Sequence, residues 1–360
     1  MTSVVDMDKL FGIKNSNRTA EQHLGKNQFN SSFPTALANY MMSKKKRIMY
    51  NKVVEIDGEL KVKTSEISVD QIFKTSDTNK LYFSFETVYQ PYEKYSFDTI
   101  DGIDLSVKDI NDNWLRALEV KLTVLPDAVT SKKDEKDWGS EIVVRSATTL
   151  YCALGMYDSS KNEKDKIRDI FEIPCSSIQS WESEFEVSNK YLPLLRALNQ
   201  FEKEFIENQQ PLLMQTLWKT NGQSPLLKDD AFDIIIWSDF AVSRLFIDRD
   251  YEKQVKKAKM SRPMRATARL ARCLWELSKS DKIHIDSIYH QMAYGAQTDK
   301  EFSINGLMWG NFLTDKSRIL KPAIKSEELP QIISSEMIEL LKPERRFDQT
   351  LYFTYRMNEE

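Results

Sequence analysis

The spacing of apolar and polar positions changes several times along the chain, and each change marks an element. Arg47–Ile56 and Glu59–Ile67 alternate around Asp57-Gly58, which predicts two strands joined by a two-residue turn. Leu81–Phe85 is a third strand candidate. Ser96–Asp109 and Trp114–Leu122, separated by the polar Asn111-Asp112-Asn113, read as a second hairpin. After a charged loop at Asp127–Gly139, a strand is expected at Glu141–Arg145 and a helix at Ser146–Met156. Helical spacing returns at Tyr191–Ile206 through Leu194, Leu195, Leu198, Phe201 and Phe205. Phe232–Trp237 reads as a short buried strand and Asp239–Phe246 as a helix. Thr35–Met42 is a further short helix candidate, and from about Lys253 onward the pattern is mostly helical. Strands first and helices later imply an α/β (α+β) chain, with a core over residues 1–250 and a helical part over 251–360 on the same globule.

Composition narrows the class without choosing a function. With 360 residues, 41% of them hydrophobic and 29% charged, the chain suits a globular protein. The 51 Lys and Arg against 54 Asp and Glu give a net charge of -3, so contact with nucleic acid has to come from local clusters. Two clusters stand out: Lys44–Arg47, and Lys253–Arg272 with eight cations and no acid. Cys152, Cys175 and Cys273 show no metal or redox spacing. No apolar window is long enough to span a bilayer and the start lacks a signal-peptide pattern, so a cytoplasmic protein is expected.

Candidate chemistry concentrates on the second hairpin. Alternation along Ala117–Leu122 turns Leu118, Val120 and Leu122 one way and Glu119 and Lys121 the other. With a tight symmetrical turn, Asp104 lies across from Ala117, on the face of Glu119; a one-residue slip brings Asp101 there instead. Two carboxylates and a lysine suit phosphodiester hydrolysis, because Mg2+ takes hard oxygen ligands and keeps several waters. By itself this triple is common on solvated strand faces.

The arrangement of Asp104, Glu119 and Lys121 resembles the PD-(D/E)xK nuclease core, although Ile103 stands where that motif usually has proline. Leu10-Phe11-Gly12-Ile13-Lys14, Gly25-Lys26-Asn27-Gln28-Phe29-Asn30-Ser31-Ser32-Phe33-Pro34 and Ala117-Leu118-Glu119-Val120-Lys121-Leu122-Thr123-Val124-Leu125-Pro126-Asp127 are similar to segments of the HindVP family of type II restriction endonucleases. The resemblance implies a restriction-endonuclease-like core, a mixed central sheet flanked by helices. It also implies Asp104, Glu119 and Lys121 as catalytic residues, with Asp104 and Glu119 holding Mg2+. The implied target is double-stranded DNA at a short palindrome of the GRCGYC type, on which a cognate DNA methyltransferase also acts; because a palindrome mirrors a two-fold protein, a homodimer is expected.

Other features carry weaker expectations. Ser261–Lys279 forms a predicted helix whose Arg265, Arg269 and Arg272 share an arc beside an apolar stripe of Met264, Ala268, Ala271 and Trp275. With Arg262, that arc is a candidate phosphate-contacting face. Glu86 is a possible extra metal ligand, and Arg145 a phosphate contact or ion-pair partner. Asp229, Asp230, Asp233 and Asp239 read as strand-end and cap residues, and His23, His284 and His290 are too scattered for a zinc site. A methyltransferase or ATP-driven enzyme is excluded by the lack of their glycine-rich loops. The remaining alternative is a non-catalytic sequence-specific DNA-binding protein, which gives Glu119 and Lys121 no reason to share a face.

Overall fold

The computed structural model describes residues 9–10, 13–14, 41, 44–75, 81–125, 142–220, 227–247, 260–296, 299–304, 325 and 328. Two short strands, β1 (Lys9–Leu10) and β2 (Ile13–Lys14), pair with each other. The first long hairpin is β3 (Arg47–Ile56) and β4 (Glu59–Ser68), in register throughout. Its turn has positive φ at both Asp57 and Gly58, the geometry that matches the twist of the flanking strands. Helix α1 (Val69–Phe73) follows directly, then β5 (Leu81–Thr87), β6 (Ile103–Asp109) and β7 (Trp114–Leu125).

After β7 come β8 (Ile142–Arg145), α2 (Ser146–Ser160), α3 (Lys164–Ser176), α4 (Glu184–Asn189) and α5 (Tyr191–Glu204). The chain returns to the sheet through β9 (Pro211–Thr220) and β10 (Leu227–Ser238). It ends, among the described residues, with α6 (Asp239–Ile247), α7 (Arg262–Ser280), α8 (Ile285–Gln291) and β11 (Lys300–Ile304).

Seven strands form one mixed sheet in the order β4-β3-β10-β9-β7-β6-β5. β5, β6 and β7 are an antiparallel meander, and β9 joins β7 in parallel after the helical crossover. A parallel neighbour needs such a crossover, since a short turn can only reverse the chain. On one face the helices bury a cluster that runs from Val53 through Trp237 to Met292. On the other face α1 reaches from β4 across to β7, where Val69, Ile72, Phe73, Leu105, Val107, Leu118 and Val120 are buried. The core is thus a mixed central sheet flanked by helices, as in the restriction-endonuclease-like fold.

Helix α7 is the hub of the helical layer, packed against α2, α3, α5, α6 and β11. Residues on both sides of position 250 therefore share one hydrophobic cluster, and the 251–360 part contributes a strand as well as helices. Among the elements that escaped the hydrophobic pattern are β9, α3 and β11. β9 is flanked by strands on both sides and reads as a near-continuous apolar run without alternation. α3 buries Ile167, Ile170, Phe171 and Cys175 at helical spacing, but Pro174 inside its last turn mimics a break. β11 is short and, among the described residues, pairs only with β8, so its strand character comes from its partner.

Candidate active site

Strand β7 lies inside the sheet, between β9 and β6, and divides its side chains by parity. Leu118 and Val120 are fully buried on the α1 side, so Glu119 and Lys121 must face α2. Leu105 pairs with Leu118 and Ser106 with Ala117; the same register carries Asp104 to Glu119. The expectation that Asp104 lies across from Ala117 is corrected by two positions. One position comes from a register shift between Val107 and Lys108, where the pairing passes over Leu115, and the other from the turn, which closes between Asp109 and Asn113. The turn is asymmetric because the Asp109 carboxylate accepts from the Asn111 and Asn113 amides at 2.8 and 2.9 Å, and from Asn113 Nδ2 at 2.9 Å. These bonds hold the Asp109 carboxyl below its usual range.

Because two residues is one full period, the correction keeps Asp104 on the face of Glu119 and brings it closer. Asp104 Oδ2 accepts from the Val120 amide at 2.8 Å and lies 3.9 Å from Lys121 Nζ. Lys121 also donates to Glu119 Oε1 through a short charged bond. Burial alone would lower the pKa of Lys121, but Glu119 and Asp104 outweigh it and hold the ammonium above its ordinary value. The Asp104, Lys121 and Glu119 side chains keep 24%, 15% and 13% of their surface accessible, so the cluster is partly open to solvent. Asp101 lies before β6, exposed, with its carbonyl accepting from Tyr151 Oη at 2.8 Å; no bond ties its carboxylate to the cluster.

Other candidates separate into near and far. Glu86 falls between the Phe85–Leu105 and Thr87–Ile103 pairs, which sets it at the register position beside Asp104. Arg145 ends β8 and pairs with Asp299 at 2.7 Å, close enough to oppose the Lys121 charge. Lys46 is bound to Glu328 at 2.6 Å, so the Lys44–Arg47 run is partly neutralised. Asp229, Asp230 and Asp233 lie within β10, and Asp239 begins α6. His284 precedes α8, stacked on Phe97, and His290 lies near the end of that helix. His23, Asn27, Gln28 and Asn30 lie outside the described residues.

The expected DNA-contacting arginine face is corrected for three of its four members. Arg265, Arg269 and Arg272 are 4–7% exposed, inside the molecule. Arg269 forms a short ion pair with fully buried Glu301 and donates to the Tyr289 and Met292 carbonyls at 3.0 and 2.8 Å. Arg272 bonds Glu276 and Gln291, both at 2.6 Å, and stacks over Trp181. Arg265 reaches the Ala293 carbonyl at 3.4 Å, and burial lowers its pKa. A run without acids looked solvent-facing because most of its partners come from elsewhere in the chain. Arg262 alone of the four is exposed.

The donor set of the cluster bears on metal ligation. Among the described residues no group of three or more His, Cys, Asp or Glu converges, so a metal would rest on Asp104, Glu119 and water. That suits a hard cation that keeps much of its hydration shell. Glu119 fits further, since both of its hydrogen bonds fall on Oε1 and Oε2 has no donor among the described residues.

The model of the HindVP restriction endonuclease family matches residues 24–357, nearly the whole chain. The chain belongs to that family. It is 29% identical over 355 residues to the type II restriction enzyme HgiDI of Herpetosiphon aurantiacus, covering 98% of this chain and 97% of that one. It is 30% identical over 347 residues to the probable type II restriction enzyme HindVP of Haemophilus influenzae, covering 95% and 92%. No solved structure matches the chain significantly. This HindVP-family member is accordingly a type II restriction endonuclease, a site-specific deoxyribonuclease acting on double-stranded DNA, and the reading as a non-catalytic binding protein falls away. No helix among the described residues is long and apolar enough to cross a membrane.

Proposed function

We propose that this endonuclease hydrolyses DNA with Mg2+ held by Asp104 and Glu119, assisted by Lys121, in a PD-(D/E)xK arrangement. The observation that supports the reading is the meeting of Asp104, Glu119 and Lys121 on one accessible face of β6 and β7. A bound divalent cation supplies positive charge for the phosphoryl oxygens and acidifies nearby water. Asp104 is oriented for this by the Val120 amide, which fixes one carboxylate oxygen. Lys121, placed beside both carboxylates, supplies a fixed positive charge that stabilises the attacking and pentavalent oxygens. In-line attack breaks the P–O3′ bond, leaving a 5′-phosphate and a 3′-hydroxyl.

The family resemblance supports a short palindromic target of the GRCGYC type, shared with a cognate methyltransferase in the cytoplasm. A palindrome mirrors a two-fold protein, which supports a homodimer. The test is digestion of plasmid and phage DNA by the purified protein, with Mg2+ and with chelator. Discrete fragments that require Mg2+ are expected, and their map gives the target sequence. Activity that survives complete chelation would overturn the metal reading, and a monomer by light scattering on target duplex would overturn the dimer.

A further inference from the structure

Thr148 and Thr149 are adjacent in the first turn of α2, both buried, yet their hydroxyls have different fates. Thr149 Oγ1 bonds the Arg145 carbonyl at 3.3 Å, the usual local solution for threonine in a helix. Thr148 Oγ1 crosses to the sheet and bonds Glu119 Oε1 at 3.2 Å. A hydroxyl has a single proton, and a carboxylate can only accept, so this bond commits the Thr148 proton to Glu119. Lys121 donates to the same oxygen.

We infer that Thr148 is a positioning residue that, together with Lys121, occupies Glu119 Oε1 and so makes Glu119 a ligand through Oε2 alone. The inference rests on the reading of Asp104, Glu119 and Lys121 as the catalytic set. Its chemical point is geometric. Mg2+ requires near-octahedral coordination and takes one oxygen per carboxylate, whereas a carboxylate with both oxygens free also offers the bidentate bite that suits larger ions. Hydrogen-bonded partners behind a ligand typically change metal affinity or activity by about 10–100-fold.

The start of α2 is held to keep that bond in place. The Ser146 amide donates to the Asp299 carbonyl at 3.0 Å, Tyr289 Oη donates to the Ser146 carbonyl at 2.8 Å, and Arg145 pairs with Asp299 at 2.7 Å. All three contacts come from α8 or from the lead into β11. The C-terminal part thus reaches the site by fixing the turn that carries Thr148.

The experiment compares Thr148→Val, which keeps the shape and removes the proton, with Thr148→Ser, which keeps the proton, using Glu119→Ala as reference. Mn2+ binding is measured by calorimetry without turnover, and single-turnover cleavage is followed over a Mg2+ titration at saturating DNA. Thr148→Val is expected to weaken Mn2+ binding and raise the Mg2+ half-saturation about tenfold, with metal-free DNA affinity and Tm close to wild type. Thr148→Ser should restore both to within about twofold. Wild-type Mn2+ affinity and Mg2+ dependence in Thr148→Val would overturn the inference, as would an equal loss in both variants, which marks packing alone. If Glu119→Ala fails to bind and cut while Thr148→Val is unaffected, only this inference falls. If Glu119→Ala itself binds and cuts normally, the reading of the site falls.

Discussion

Two charged clusters in this molecule look alike in sequence and do opposite things. On β6 and β7, Asp104, Glu119 and Lys121 gather charge at an accessible face, and Glu119 Oε2 has no donor among the described residues. On α7, Arg265, Arg269 and Arg272 gather charge inside the helical layer, tied to Glu301, Glu276, Gln291 and the carbonyls around α8. The difference is access: the strand cluster keeps part of its surface open, whereas the arginines are buried and paired with groups from within the chain. An accessible cluster is suited to a ligand; a buried cluster paired from within holds the fold together. Breaking the first should therefore spare stability and remove activity, and breaking the second should do the reverse.

The largest expected effect is on the strand cluster. Asp104→Ala, Glu119→Ala and Lys121→Ala should each lower cleavage by about a thousandfold with little change in Tm. The two carboxylate variants should bind target at least as well as wild type without metal, since repulsion against phosphate is relieved. Asp101→Ala, outside β6, should keep most of its activity, and plasmid digestion beside thermal melts reads all four. If Asp101→Ala is inactive and Asp104→Ala active, the assignment of the first carboxylate is wrong.

Next comes the arginine ladder. Arg269→Ala leaves Glu301 buried without its guanidinium, and loss of about 3–5 kcal/mol is expected by denaturant titration. The double variant Arg269→Met with Glu301→Leu should recover most of that, because neither charge then needs a partner. The affinity of the folded double variant for DNA, and its dependence on salt, should match wild type. A flattened salt dependence would return these arginines to the DNA-binding face.

A third carboxylate sharpens the contrast, since it lies in neither cluster. Asp239 is buried at the start of α6, and burial pushes its pKa up to about 7 despite bonds from the Phe240 and Gln210 amides. A raised native pKa means that the folded protein holds its proton more tightly than the unfolded chain. Its contribution is therefore complete below about pH 4 and is lost as pH rises to about 7. Asp239→Asn should be more stable than wild type at pH 8, by an amount on the order of a few kcal/mol, and nearly equal to it at pH 4. Melting curves across that range test the sign.

The smallest effect belongs to Arg262, the exposed member of the arginine group. Arg262→Ala should leave the fold unchanged and lower the salt-dependence slope of DNA binding by at most about one. An unchanged slope would remove it from the interface.

Local patterns went furthest where one residue's neighbours in sequence are also its neighbours in space. Asp57-Gly58 specified its hairpin, the alternation of Leu118, Glu119, Val120 and Lys121 specified which side chains share a face, and the spacing of Leu194, Leu198 and Phe201 specified α5. The pairing of Asp104 was only half legible. Its face follows from parity, but its register depends on the Asp109 cap and the shift at Leu115, which no alternation pattern encodes.

By itself, then, the sequence determined the family, the charge pattern of β7 and the strand hairpin that carries it, because these depend on local period and on long stretches of shared residues. The tertiary structure decided what each charge meets. Glu301 reaches Arg269 from 32 positions away, and Thr148 reaches Glu119 from 29. Burial and partner choice are set by which elements pack together, and no single stretch of chain contains that information. For the same reason the acid-free run of α7 read as a surface: the Glu301 carboxylate that neutralises it arrives with another strand.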